Sequence, residues 1–349
     1  MGLTEMLRDG IQQGGSDIFI IPGSPVMAKC HGKMVPLSER ILPKDSETLI
    51  QEAYALAGRE MTILTEDGDD DFSFAIRDVS RFRCNAYNQR GTLAATCRAV
   101  TFGLPDPEAM GIPKLVMQLA SLRNGMILVT GPAGSGKSTT MACMINQINH
   151  SREGHIITIE DPIEYLHHHE KSLVSQREVP NDSPTFERAL RAALRQAPDV
   201  IMLGEMRDLE TIKTAITAAE TGHLLVSSLH TIGASKTVDR IIDTFPPEQQ
   251  AQIRVQLSMI LKAVVSQRLV PTVDGHQTAV FEVMTVNAAI QNLIRDGRTH
   301  QIDNAIFAGN NQEMLSMDNE LARLCKAGRI TRDVALSFAM NPETLQRRI

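Results

Sequence analysis

The sequence predicts an α/β protein in which a small α+β domain precedes a nucleotide-binding domain built on a parallel sheet. The chain has 349 residues, a length that fits about two domains. From residue 114 onwards, short apolar segments alternate with helical ones, which is typical of a parallel sheet covered by helices. One apolar segment leads directly into Gly131-Pro-Ala-Gly-Ser-Gly-Lys-Ser-Thr139, a pattern typical of phosphate binding.

Composition narrows the class of protein further. Hydrophobic residues make up 42% and charged residues 22%, as in water-soluble globular proteins, and no apolar run approaches the ~18 residues of a membrane span. The first residues lack a signal-peptide pattern, so we expect a cytoplasmic protein. A net charge of −6 and the absence of Trp argue against direct nucleic-acid binding. The cysteines form no Cys-x-x-Cys pair, which argues against a zinc module or a disulfide framework.

Residues 1–103 are predicted to form the α+β domain. Alternation of apolar and polar residues, the signature of half-buried strands, is clearest in the second half of this region. Helical patterns cover 4–13 and 44–58, and strand patterns cover 17–21, 26–30, 34–36, 71–76, 81–87 and 93–100. Residues 104–113 contain prolines and glycines that break both periodicities, and we interpret them as a linker.

Residues 114–285 are predicted to form the nucleotide-binding core, and 286–349 a helical region. The core strands are nearly all apolar, as strands buried on both faces of a sheet are. They are predicted at 126–130, 155–159, 200–204 and 224–228, with helices at 137–149, 184–196 and 209–220. Beyond about residue 246 the sequence predicts helices at 248–270, 287–296, 299–308 and 317–327.

The glycine-rich segment has the context that a phosphate-binding loop requires, because it follows an apolar strand and precedes a helix. Backbone N–H groups of such a loop converge on phosphate oxygens. Lys137 is expected to reach the β- and γ-phosphates of ATP, and the Ser138 hydroxyl to ligate Mg²⁺. The predicted cofactor-binding loop consists of Gly131, Pro132, Ala133, Gly134, Ser135, Gly136, Lys137, Ser138 and Thr139.

Acidic residues and histidines follow the other predicted strands. Glu160 and Glu164 follow the strand at 155–159, and Glu205 follows the strand at 200–204. Since ligands lie at the carboxyl ends of parallel strands, these acids are expected near the phosphate loop, where they hold Mg²⁺ or orient water. His223 and His230 flank the strand at 224–228, and from spacing alone a γ-phosphate sensor and ordinary packing are equally consistent.

These motifs together resemble the bacterial secretion ATPase superfamily, and within it the type IV pilus retraction ATPases. The similarity runs nearly from end to end of the chain. It is carried by the phosphate loop together with Ile159-Glu-Asp-Pro-Ile-Glu164, Gly204-Glu-Met-Arg-Asp208, Thr221-Gly-His223 and Leu229-His-Thr231. The resemblance implies a PAS-like α+β domain, followed by a RecA-like P-loop ATPase domain with a C-terminal helical region.

The resemblance also implies roles for single residues. Residues 131–139 correspond to the Walker A motif. Glu164 corresponds to the catalytic base, and Glu160 belongs to the same acidic motif at the nucleotide. Glu205 corresponds to the Walker B acid that holds Mg²⁺ through water. His223 and His230 correspond to a pair of histidines that sense the nucleotide.

Partners and location are implied in the same way. Arg83 and Arg98 correspond to arginines that reach a nucleotide from a neighbouring domain, where positive charge stabilises the transition state. The resemblance implies a homohexamer on the inner face of the cytoplasmic membrane, with a pilus platform protein and a second retraction ATPase as partners.

The sequence departs from the family pattern at several positions: the change at residue 133 is mild, and the change at residue 291 bears on the direction of the motor. Ala133 stands where Thr is usual in the phosphate loop, and Gln291 stands where the retraction branch has Arg. Three functions therefore stay open at this point: a pilus retraction motor, a secretion or conjugative DNA-transfer motor, and a non-hydrolysing nucleotide-binding regulator. Glu164 and Glu205 favour an enzyme over the regulator.

Overall fold

The structure, a computed structural model, describes residues 2–100, 103–309 and 313–349. These residues divide into two compact units. The first consists of 1–103 together with 164–166, and the second of 104–163 and 167–349. The second unit therefore contains the predicted linker, the nucleotide-binding core and the C-terminal helices.

The first unit is built on an antiparallel sheet with the strand order β3-β2-β1-β6-β5-β4. Its strands alternate buried and exposed residues, and the buried side chains pack against three helices in one core that includes Tyr54, Phe72 and Phe82. All six predicted strands are present, whereas the helix α3 was not predicted. The elements are α1 (Leu3–Gln12), β1 (Gly15–Ile20), β2 (Pro25–Cys30), β3 (Lys33–Arg40), α2 (Pro43–Ala57), α3 (Thr62–Asp67), β4 (Asp69–Ile76), β5 (Ser80–Gln89) and β6 (Thr92–Val100).

The second unit is built on a sheet with the strand order β13-β12-β7-β11-β10-β8-β9, in which every pairing is parallel except that between β12 and β13. The apolar strands predicted at four places are confirmed, and helices cover both faces. The elements up to the last strand are α4 (Lys114–Gln118), β7 (Gly125–Thr130), α5 (Lys137–Ser151), β8 (Gly154–Glu160), β9 (Ser172–Glu178), α6 (Phe186–Ala193), β10 (Val200–Leu203), α7 (Leu209–Glu220), β11 (Leu224–Leu229), α8 (Ala234–Asp243), α9 (Pro247–Ile260), β12 (Leu261–Pro271) and β13 (Gln277–Thr285).

The helix predicted at 248–270 is wrong in its second half. Helix α9 ends at Ile260, and Leu261–Pro271 forms the strand β12, which pairs with β7 on one side and β13 on the other. Val264 and Val265 are fully buried there, and such β-branched side chains fit a sheet between two neighbours. The sheet pairing therefore overrides the continuous apolar pattern that resembles a helix.

The three helices predicted after residue 286 are confirmed with slightly shorter bounds, and two further helices follow that were not predicted. The side chain of Asn287 caps the first of the three by accepting a hydrogen bond from the Ile290 N–H. Their bounds are α10 (Ala288–Arg295), α11 (Ile302–Ala308), α12 (Met317–Lys326), α13 (Arg332–Phe338) and α14 (Pro342–Gln346).

Candidate active site

The phosphate loop joins β7 to α5 and has the backbone shape that only its glycines allow. Gly131 has φ +142° and Gly136 has φ +87°, in the region that L side chains rarely adopt. A Cβ on Gly131 would lie 2.1 Å from the backbone oxygen of Gln267, and one on Gly136 would lie 2.8 Å from Gln267 Nε2. A larger residue at Gly131 would push the loop off the neighbouring strand, whereas one at Gly136 would require the Gln267 side chain to move.

Lys137 closes this loop from inside. Its Nζ donates hydrogen bonds to the backbone oxygens of Gly131 (3.0 Å) and Pro132 (2.9 Å), and the residue is buried. The ammonium group is thereby held inside the concave side of the loop. Ser138 and Thr139 occupy the first turn of α5 and are half-buried.

The remaining loop residues fit a phosphate ligand. The middle of the loop is exposed at Pro132, Ala133 and Gly134, whereas Ser135 is buried. The Ser135 hydroxyl and that of Thr130, at the end of β7, are buried without a hydrogen-bond partner among the described residues. Buried polar groups are normally paired, so two unpaired hydroxyls at the loop suit a ligand that accepts hydrogen bonds.

Gln267 of β12 packs against the phosphate loop, and this contact was not predicted from the sequence. Its Oε1 accepts a hydrogen bond from the Thr140 hydroxyl at 2.7 Å, within the first turns of α5. The residue is buried beside Gly136. Gln267 fell in the segment predicted as a helix, and only the richness of that segment in β-branched residues pointed to a strand.

Glu205 lies just beyond β10, and its carboxylate is held between the side chains of Arg207 and His230. Its Oε2 accepts a hydrogen bond from His230 Nε2 at 3.0 Å, and its Oε1 is paired with the Arg207 guanidinium. Burial raises the pKa of Glu205, but the hydrogen bonds from Arg207 and His230 outweigh it and hold that pKa below its ordinary value. A carboxylate that stays ionised is suited to hold Mg²⁺.

This cluster and the phosphate loop share one edge of the sheet. Register pairs Leu229 with Thr130 and Ser227 with Leu203, so β7, β10 and β11 end side by side. The structure therefore brings Glu205 and His230 to the edge that carries the loop. Arg207 was not assigned a role from sequence, although it lies within the quoted motif at 204–208.

Glu160 and Glu164 have different surroundings. Glu160 is the last residue of β8 and is buried; its Oε1 accepts hydrogen bonds from Thr158 Oγ1 (2.6 Å) and Gln176 Nε2 (3.3 Å). Glu164 is exposed and lies in the segment 164–166 that groups with the first unit. Glu160 is thus fixed at the carboxyl edge of the sheet, and the catalytic role of Glu164 stays a prediction.

His223 lies at the opposite edge of the sheet from His230, and its predicted role at the nucleotide stays a prediction. It precedes β11, and its Nδ1 is hydrogen-bonded to the Ala218 backbone oxygen at 2.9 Å. A six-residue strand separates it from His230, which corresponds to about 20 Å. The two ends of one parallel strand cannot both face the phosphate loop.

Arg83 and Arg98 lie in the first unit and are register partners across β5 and β6. Their side chains are 44% and 72% exposed, and each is paired with an aspartate: Arg83 with Asp71 at 3.8 Å, and Arg98 with Asp17 at 2.7 Å. The structure thus presents the two cations side by side on one face of the antiparallel sheet.

A cavity of about 540 Å³ adjoins the phosphate loop within the second unit. This volume suits a nucleoside-sized ligand. Thr139 and Gln267 line its loop side, and Leu269 and Arg329 line other walls, together with residues 108–112. The cavity places room for a base and ribose beside the loop. The contributions of Arg329 and of 108–112 were not foreseen, since the latter were predicted only as a linker.

Comparison with known proteins identifies a family. The family model described as type II/IV secretion system protein matches residues 110–340, which is more than half of the chain. Among curated relatives, the type IV pilus retraction ATPase PilT of Pseudomonas aeruginosa is 41% identical over 98% of this chain and 99% of its own length. The type IV pilus ATPase PilU of the same organism is 38% identical over 99% of this chain and 91% of its own length.

A solved structure gives the same result for the fold. The crystal structure described as the pilus retraction motor PilT with bound ADP has a TM-score of 0.90 and 43% identity, and the match covers 99% of both chains. An N-terminal domain followed by a RecA-like ATPase domain with C-terminal helices is therefore confirmed as the architecture.

Proposed function

The chain belongs to the type II/IV secretion system protein family, and we propose that within this family it is the ATP-hydrolysing motor that retracts a type IV pilus. The relatives described above are named as ATPases, and the chain is an ATPase as they are. The observation that most supports retraction is similarity over nearly the full length of a retraction ATPase, rather than over the nucleotide-binding core alone.

The residues of the second unit supply the chemistry of phosphoryl transfer. Lys137, held inside the loop, neutralises the β- and γ-phosphates of ATP. Hydroxyl and carboxylate oxygens are the ligands that Mg²⁺ prefers, so Ser138 and, through water, Glu205 would hold it. Bound Mg²⁺ neutralises charge on the phosphate oxygens. His230 is hydrogen-bonded to Glu205, and we assign it the role of the sensor that detects the γ-phosphate.

Activation of water is assigned to Glu164, with Glu160 as a neighbouring acid at the nucleotide. Glu160 is buried and already accepts hydrogen bonds from Thr158 and Gln176, which suits a fixed positioning role better than proton transfer. Glu164 is exposed, which suits a residue that activates a water molecule.

Arg83 and Arg98 are assigned to a nucleotide held by a neighbouring subunit of a homohexamer. The two guanidinium groups lie side by side on an exposed face, each paired with an aspartate, and exposed arginines suit stabilisation of transition-state charge in trans. A head-to-tail interface of this kind closes a ring when the rotation fits.

The arginine assignment has a direct test. Subunits carrying Arg83→Ala or Arg98→Ala keep the phosphate loop but lack one arginine, whereas Lys137→Ala subunits keep both arginines but cannot bind ATP. In a mixed ring, a Lys137→Ala subunit can supply its arginine to the nucleotide of an arginine-deficient neighbour, so mixing should restore part of the ATPase activity. Arg77→Ala is the matched control, because Arg77 is 95% exposed in the same unit and has no assigned role. Mixtures with no activity above the separate variants would contradict action between subunits.

The proposed function as a retraction motor implies where the protein acts and which proteins it contacts. No helix in the described part of the chain is long and apolar enough to cross a membrane. We place the ring on the cytoplasmic face of the inner membrane, where an integral platform protein of the pilus would receive its motion. The similarity to PilU supports a second retraction ATPase as a further partner.

The experiment that tests the function is deletion of the gene in its source organism. The proposal predicts more pili on each cell and loss of surface motility, both restored by the wild-type gene but not by Lys137→Ala. Unchanged pilus number with loss of DNA transfer would replace the proposal by a conjugative or secretion motor.

A further inference from the structure

The segment that carries His230 is short. Residues 230–233 alone join the end of β11 to the start of α8. The Thr237 hydroxyl of α8 donates a hydrogen bond to the Gly233 backbone oxygen at 2.7 Å and is hydrogen-bonded to the Thr231 hydroxyl at 2.7 Å. The segment and the first turn of α8 therefore form one unit, and a shift of that turn would shift His230.

The amino end of α8 is held by one pair of residues on the β12–β13 hairpin. Gly233, which precedes the helix, has no side chain with which to cap it. Its N–H donates to Ser266 Oγ at 2.9 Å, and the next N–H, of Ala234, donates to Glu282 Oε1 at 2.9 Å. The first N–H groups of a helix have no partner within the helix, so these two acceptors replace the missing cap.

Ser266 and Glu282 are direct register partners across the two antiparallel strands, and both are buried. Ser266 also pairs in register with Thr130, the last residue before the phosphate loop. The hairpin thus fixes the amino end of α8 relative to the strand that ends in that loop.

Titratable side chains line a cavity beside Glu282. This cavity, of about 380 Å³, is lined by Lys236 of α8, by His300 and Asp303, and by Asp318 of α12. Burial, together with Asp303 and Asp318, raises the pKa of Glu282 to about 7, although the Ala234 N–H acts in the opposite direction. Either protonation state retains an oxygen that accepts the Ala234 N–H.

We propose that Glu282, together with Ser266, is a positioning residue for ATP hydrolysis: by holding the amino end of α8, it sets His230 against Glu205. Glu282 does not itself touch the nucleotide. This inference rests on the proposed role of His230 and Glu205 in turnover.

The first test compares two uncharged replacements of similar size. Glu282→Gln retains an oxygen for the Ala234 N–H, whereas Glu282→Leu does not. Glu282→Leu should lower kcat about ten-fold with KM for ATP within about two-fold of wild type, since misplacement of a catalytic group affects turnover more than binding. Glu282→Gln should keep kcat near the wild-type value. Equal kcat for the two variants would overturn the inference.

A second variant covers the case in which Glu282→Leu does not fold. Ser266→Ala removes only the hydroxyl that accepts the Gly233 N–H, and it should lower kcat about three-fold at unchanged KM, because one hydrogen bond of the pair remains. A wild-type kcat for a folded Ser266→Ala protein would contradict a joint role of the pair.

A double-mutant cycle with His230→Ala separates this inference from the function on which it rests. If Glu282 acts through His230, then Glu282→Leu in the His230→Ala background lowers kcat no further. A full additional loss in that background would overturn the inference alone. A wild-type kcat for His230→Ala itself would instead show that His230 has no role in turnover, and both assignments would fall.

Discussion

The ionisation of Glu282 should make the free energy of unfolding depend on pH. Its pKa is about 7 in the folded protein, against an ordinary value of 4.5, and burial is the main cause. Between these two values the folded state binds a proton that the unfolded state has released. The free energy of unfolding should therefore fall as pH rises from about 4.5 to about 7, and should stay level for this group above that range.

The magnitude follows from the same two values. A pKa difference of about 2.5, at about 1.4 kcal/mol for each pH unit, corresponds to roughly 3 kcal/mol at pH 8. Glu282→Gln has the same shape and accepts the same N–H but cannot ionise. Its stability advantage over wild type should thus be near zero at pH 4.5 and about 3 kcal/mol at pH 8.

Urea denaturation of wild type and Glu282→Gln at pH 5 and pH 8 measures this difference. All other titrating groups are common to both proteins, so their contributions cancel in the comparison. A Glu282→Gln advantage that is equal at the two pH values, or a wild-type protein that is the more stable at pH 8, would refute the account of this buried carboxyl group.

Three further predictions concern the active site. Lys137→Ala should abolish ATP binding in a fluorescence titration, because the phosphates lose the cation held inside the loop; retained affinity would contradict that role. Glu164→Gln should keep ATP affinity while losing turnover in a phosphate-release assay, and a wild-type rate would move the base assignment to Glu160 or Glu205. Gln267→Leu leaves the buried Thr140 hydroxyl without its acceptor. It should therefore lower the free energy of unfolding by about 1–3 kcal/mol and weaken ATP binding. An unchanged Tm would contradict the role of Gln267 in supporting the loop.

The sequence was most informative where structure is encoded locally. The phosphate loop is specified by glycines at positions of positive φ, and the apolar strands before it are short and unambiguous. The half-buried strands of the first unit also follow from alternation, because one face of each contacts the core. Glu205 could be placed beside the phosphate loop because parallel strands end at one edge.

What sequence reasoning missed depends on contacts between distant segments. Leu261–Pro271 became a strand because β7 and β13 bury it from both sides, and this pairing alone places Gln267 below the loop. The Ser266–Glu282 pair depends on hairpin register in the same way. His223 and His230 flank one strand in the sequence, but the two ends of a strand face opposite edges of the sheet, so flanking a strand does not imply proximity.

The most direct measurement of the central claim is the retraction of single labelled pili in living cells whose only copy of the gene is either wild type or Glu205→Gln. The Glu205 carboxylate is held ionised by Arg207 and His230, and its amide replacement should bind ATP without productive Mg²⁺ coordination. The account predicts that pili extend in both strains and retract only in the wild type. Pili that retract at the wild-type rate in Glu205→Gln cells would contradict it.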